Sequence, residues 1–353
     1  MGNNVHHGCD NAVNLCDEFA TPANLRPSPS DTLAIQMKIH SLFCFSVIAA
    51  LGATHVDSPE LKAVQHPMSE LHAVAKFSIP GSPDWVAIGD SVWISNNPKN
   101  NISELDPKTN QVGAVITVAK KPCSGLAIAF GSVWVPICSD GSVQRVDLKS
   151  QKIVASVPSG VANTEGGITA GEGSIWMPSD TAGVLSRIDP ATNKVVSKIS
   201  IPEGSYTAAF YADAVWITST KNNLLTRVDA KTEKVVTSIP VGPAPRFLAT
   251  GLGSVWTLNQ GDGTVSRIDP ATNKVSATID VGVPGEGGDI AVGENAVWVT
   301  ASGKPLSKID PASNRVVTQY VGKGGDALRV GLGSLWLSNH EFHEVWRIDP
   351  KGL

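Results

Sequence analysis

The sequence predicts an all-β protein: a seven-bladed β-propeller with four antiparallel strands per blade, closed by the N-terminal strand completing the last blade. Three observations carry this expectation. Trp recurs at 93, 134, 176, 216, 256, 298 and 336, with spacings of 41, 42, 40, 40, 42 and 38 residues, and a period near 40 that holds four short strands is the signature of a propeller blade. The chain has 9 Trp against 8 Phe and 3 Tyr, an inversion explained by one Trp per repeat. Its 33 Gly and 23 Pro break the apolar runs into segments of strand length.

In chain order, residues 1–36 show no sustained periodicity and read as an untranslated or disordered upstream extension. From Met37 the character changes to MKIHSLFCFSVIAALGATH: a Lys, an apolar run and then small residues at Gly52 and Ala53. Residues 37–53 therefore read as a secretory signal peptide, the run being too short for a membrane-spanning helix. Residues 54–74 are expected to be a linker and residues 75–353 the propeller.

Each repeat opens on an apolar string such as GITAG or DIAVG and continues into a Trp-bearing string such as GSVWV, GSIWM or NAVWV. A third run ends in Asp, as in VSRIDPATNKV, and a fourth follows, as in VVTSIPVG. The Trp reads as inter-blade packing, and Asp106, Asp147, Asp189, Asp229, Asp269, Asp310 and Asp349 read as turn residues. The basic residue two places before most of them reads as solvated or turn-pairing. The last repeat stops at WRIDPKGL with no fourth run, whereas AKFSIP at 75–80 matches a fourth run. That N-terminal strand is expected to complete the last blade and remove its open edge.

A net charge of −4 leaves no basic footprint for nucleic acid, and the mature chain is expected to have no transmembrane segment. Removing the leader takes Cys9, Cys16 and Cys44 with it and leaves Cys123 and Cys138. Counting back from the turn at Phe130, Gly131 and Ser132 places those two opposite each other on paired strands. A disulfide in a periplasmic or secreted protein is the expected outcome.

Repetition builds scaffold, so a site is sought where the copies differ. Aligning the repeats on Trp puts Asp84, Ser124, Gly166, Tyr206, Arg246, Gly288 and Asp326 at the start of the seven innermost strands, where the connecting loops of a propeller converge on its channel mouth. Asp84, Trp85, Tyr206, Arg246, Phe247 and Asn259 are the candidate ligand-binding residues. Glu165, Glu286, Asp289 and Asp326 are candidate oxygen ligands for Mg²⁺ or Ca²⁺. The loop SNHEFHEVW adds His340 and His343 as candidate proton-transfer groups.

The repeats, notably GGITAGEGSIWMPSDTAGVLSRIDP and VSRIDPATNKV, resemble the bacterial YVTN-type and virginiamycin B lyase-like propellers over residues 75–353. The resemblance implies the fold. For activity it implies opening of a cyclic depsipeptide lactone by elimination, with Mg²⁺ and His and Glu side chains at the channel mouth. This chain departs at both motif positions: the ring from Asp84 to Asp326 holds no His, and the third residue after Trp is Asn96, Ile137, Ser179, Ser219, Asn259, Ala301 or Asn339 rather than Glu. Whether the protein is an enzyme is left open by the sequence. The leading expectation is an exported propeller binding a small molecule, peptide or glycan at the channel mouth. The alternatives are a metal-dependent lyase or lactonase-like hydrolase, and a scaffold for a protein partner.

Overall fold

The computed structural model describes residues 57–353 apart from 124, 163–164 and 283–286. The expected leader (37–53), the extension before it and Glu286 lie outside the described residues. Seven sheets follow one another along the chain, each a meander whose strands run from the channel outward. Blade one shows the plan: Pro83–Ile88 innermost, then Val92–Asn96, Asn101–Asp106 and Gln111–Thr117.

Burial explains the composition of each strand. The Trp-bearing second strands are buried along their length, because neighbouring blades cover both faces, whereas outermost strands such as Lys234–Pro240 are mostly exposed. Six of the repeated Trp residues (134, 176, 216, 256, 298 and 336) donate the indole Nε1–H to the carbonyl five residues earlier, at the end of the innermost strand. That bond satisfies the indole's one polar group inside an apolar interface.

The basic residue on the third strand proves to be turn-pairing, and the turn belongs to the following blade. Arg267 lies 4.8 Å from the Trp256 ring centroid, donates to Ser254 Oγ of its own blade, and reaches Pro311 O and Asn314 Oδ1 of the next. Arg145 repeats this set on Ser132, Pro190 and Asn193. Arg347 repeats it across the ring closure, on Pro107 and Asn110 of blade one. Arg187 departs because Glu233 stands where its neighbours have Asn, giving an ion pair. In the first six turns the Asp accepts backbone N–H and hydroxyl bonds, as Asp269 does from Ala271 and Thr272. These bonds hold the carboxyls of Asp106, Asp147, Asp189, Asp229, Asp269 and Asp310 below the usual range.

Ring closure is as expected. Ala75–Ser78 pairs antiparallel with Glu344–Ile348 as the fourth strand of blade seven, and its Phe77 packs 5.7 Å from the Trp336 ring. Residues 57–74 also carry structure. A short helix, Pro59–Lys62, is capped by the Ser58 hydroxyl, and Gln65–Pro67 runs parallel to Arg315–Val321 as a fifth strand of blade six. Asp57 anchors the segment by an ion pair with the buried Lys304, and Gln65 bonds both Asp57 and Gln319. Among the described residues, no helix is long and apolar enough to cross a membrane.

Candidate functional site

The innermost strands carry their first residues to one end of the channel, where they enclose a cavity of about 210 Å³. Asp84, Trp85, Glu165, Arg246, Phe247, Asp326 and His340 line it together with Gly287, Gly288 and Ala327. Its floor is aromatic. Trp85 and Phe247 are 3% and 2% exposed and meet edge to face at 5.6 Å, with Tyr206 edge-on to Phe247 at 6.2 Å. The next residues down the same strands, among them Leu126, Ile168, Thr207, Leu248 and Arg329, line a second chamber of about 250 Å³. Trp85 Nε1 is buried and has no hydrogen-bond partner among the described residues.

Asp84, Asp326 and His340 form the most concentrated chemistry. His340 Nε2 lies 3.1 Å from Asp326 Oδ2 and 3.7 Å from Asp84 Oδ1, and one ligand atom of each of the three lies within 4.8 Å of the others. Burial, followed by the nearby charges of Asp84 and Asp289, pushes the Asp326 carboxyl up to about 6 against the opposing pull of His340. The carboxylates of Asp84 and Asp326 beside it raise the His340 imidazole above its ordinary value, against desolvation.

The opposite side of the cavity is cationic. Arg246 pairs with Glu165 and lies over the rings of Tyr206 and Phe247 at 4.9 and 5.3 Å, while its Nη1 lies 3.5 Å from Gln260 Oε1. Gln260 in turn donates to the Gly287 carbonyl. Burial pushes the Tyr206 phenol up to about 12, so it stays neutral.

Other candidate residues are placed elsewhere. Asp289 is 2% exposed and pairs with Arg329, accepting also from the backbone of Leu328 and Ile290; desolvation raises its pKa despite the guanidinium. Its carboxylate is committed to that pair. Asn259 is fully buried, bonded to Thr257, Thr264 and Ser266. At the matching position after Trp, Asn96 accepts from Ser82 N and Asn339 from Gly325 N, so those two hold the strand-connecting loop. His343 points its Nδ1 at the Gly81 carbonyl and is absent from the cavity lining.

One residue escaped the sequence reading. Arg329 stands where other blades have Ala87, Ala127, Thr169, Ala209, Ala249 or Ala291, and the ring three places further down the strand would have revealed it. Cys123 and Cys138 form the expected disulfide, with Cα atoms 5.9 Å apart. The backbone bonds Cys123 N to Pro136 O and Cys138 N to Lys121 O place it between paired strand ends.

Comparison with known proteins adds fold and little chemistry. The profile of a domain of unknown function (DUF5074) matches residues 68–227. No curated protein matches the chain. Among solved structures, a streptogramin B lyase superposes with a TM-score of 0.67 at 18% identity over 78% of this chain and 96% of that one. Virginiamycin B lyase from Staphylococcus aureus gives 0.66 at 17% identity, over 78% and 98%. Hydrazine synthase from Kuenenia stuttgartiensis gives 0.64 at 13% identity, over 77% and 96%. Proteins of such different names share this propeller, so the fold does not choose among functions.

Proposed function

We propose that the protein is an exported propeller that binds a small polar molecule, or the polar end of a peptide or glycan, at the channel mouth. The observation that carries this reading is the cavity itself. It lies where the copies stop being copies, and it combines charges of both signs with an apolar floor, the composition of a ligand site rather than of a packed core. About 210 Å³ is below the common range of roughly 300–1,000 Å³ for ligand pockets, which favours a compact ligand or end group over a whole macrocycle. The disulfide supports an oxidising compartment.

One observation favours a second reading, a metal-assisted lyase or hydrolase: Asp84, Asp326 and His340 offer three donor atoms in one place. Two carboxylates with an imidazole suit a first-row ion that accepts nitrogen better than Mg²⁺ or Ca²⁺, which prefer all-oxygen shells. An ion held there would polarise an ester carbonyl at the mouth.

Thermal melting of residues 54–353 separates the two readings. A ligand of the folded state at about 100 times its dissociation constant adds roughly 2.7 kcal/mol. The binding reading expects small polar organic solutes to raise the melting temperature in the presence of chelator, and Asp326→Asn to abolish the effect. A rise produced by Zn²⁺ or Mn²⁺ alone, and lost in the same variant, would move the conclusion to the metal-assisted reading. If neither kind of solute shifts the transition, the mouth is not a small-ligand site.

A further inference from the structure

The charges of the mouth are sorted by blade. Asp84 lies in the innermost strand of blade one and Asp326 just ahead of that of blade seven, its neighbour in the ring, whereas Arg246 lies in that of blade five. Blade six stands between them, and among the described residues it lines the cavity with glycines alone, Gly287 and Gly288; Gly288 sits at φ +93°, where an added Cβ would lie 2.0 Å from the Thr300 carbonyl oxygen. Among the described residues, an anionic pole and a cationic pole thus face one small cavity with glycine between them.

Each pole carries an internal counter-ion, and the counter-ions are the more exposed partners. Arg246 is 18% exposed and its partner Glu165 45%. Asp84 and Asp326 are 23% and 26% exposed, and His340 42%. Glu165 reaches the pole from blade three and His340 from a short 3-10 turn of blade seven, so neither belongs to the element that presents the pole. The pole residues are better fixed. The Tyr206 and Phe247 rings hold the plane of the Arg246 guanidinium, and the Gly288 backbone N–H favours the charged form of the Asp326 carboxylate.

Resting on the mouth-binding reading, we infer that the ligand is a compact zwitterion, whose ammonium group is held by Asp84 and Asp326 and whose carboxylate is held by Arg246. Glu165 and His340 are stand-ins for the two ends of that ligand. On binding, the ligand carboxylate displaces Glu165 from the guanidinium, and the ligand ammonium displaces His340 from the carboxylate pair. The displaced side chains move toward the solvent they already partly face. A guanidinium paired with a carboxylate in a partly buried site is a strong, directional contact, and exchanging one carboxylate for another conserves it.

Isothermal titration tests this with glycine, β-alanine and 4-aminobutyrate as zwitterions, and propylamine and butyrate as their singly charged halves. The expected result is that one zwitterion binds at least about tenfold more tightly than either half. Arg246→Gln and Asp326→Asn each weaken it by at least about tenfold. Glu165→Gln strengthens both the zwitterion and butyrate by removing their competitor, a gain that misfolding does not mimic. The inference is overturned if no zwitterion exceeds propylamine, or if Glu165→Gln weakens binding. Binding of neutral sugars alone, lost in Asp326→Asn, would overturn the zwitterion and leave the mouth as a ligand site. Absence of binding by every probe, sugars included, would overturn both.

Discussion

The third-strand arginines show how one side chain serves stability in three ways at once. Arg267 covers an indole face, bonds its own blade and ties down the turn of the next. Arg267→Ala should therefore cost about 2 kcal/mol, and Arg267→Lys should recover only part of it, since a lysine lacks the planar fork; urea denaturation measures both. Asp326 makes a prediction about pH. Its folded value is raised from 3.8 to about 6, so the folded state binds that proton more tightly than the unfolded state. The associated stability is fully present below the unfolded value and is lost as pH rises to about 6. The six turn aspartates act in the opposite sense, contributing stability that is lost as pH falls toward and below their lowered values. Asp326→Asn should gain stability relative to the native chain between about pH 4 and pH 6, as read from urea midpoints across that range, and a constant offset would contradict the assignment. Which single residues line the mouth was legible from their irregularity, and Asp84, Arg246 and Asp326 were found that way. Glu165 and His340 were named as well, but their pairing with Arg246 and with Asp84 and Asp326 was not legible, because they reach those residues from loops whose course no repeat dictates.

Among the elements, the N-terminal strand shows what sequence patterning can and cannot reveal. Ala75–Ser78 was legible because AKFS has the alternation of the other outermost strands and the last repeat lacked one. Gln65–Pro67 was not: three residues with a Pro carry no period, and a parallel edge pairing leaves no hairpin signal. The closing strand is core despite lying near the start of the fold. Phe77 and Ile79 are each 2% exposed, so Phe77→Ala should cost about 3–5 kcal/mol, as an interior Phe does, and a loss under about 1 kcal/mol would mean the closure contributes little. The disulfide joins residues separated by 15 positions, for which chain entropy suggests about 3 kcal/mol. Replacing both Cys123 and Cys138 with Ser should lower the urea midpoint accordingly.

For the whole molecule, repetition makes the scaffold readable and hides the function. Seven variations on one blade announce a propeller through spacing alone, since every blade must bury the same Trp and close the same turn. The mouth is assembled from residues of several blades, drawn from positions far apart in the chain, and only the closed ring brings them together. Asp84 and Asp326 illustrate this, coming from opposite ends of the sequence to share one imidazole. Resemblance to the lyases reports the same scaffold, which is why it carried the fold and left the chemistry open. The most direct test of the central claim, that one ligand site lies in the irregular ring, is the stoichiometry and location of binding. Titrating a solute that raises the melting temperature into the native chain and into Arg246→Gln should give one molecule per chain, with affinity lost in the variant. Several equivalent sites per chain, or an affinity untouched by Arg246→Gln, would place binding on the repeated surface instead and contradict the account.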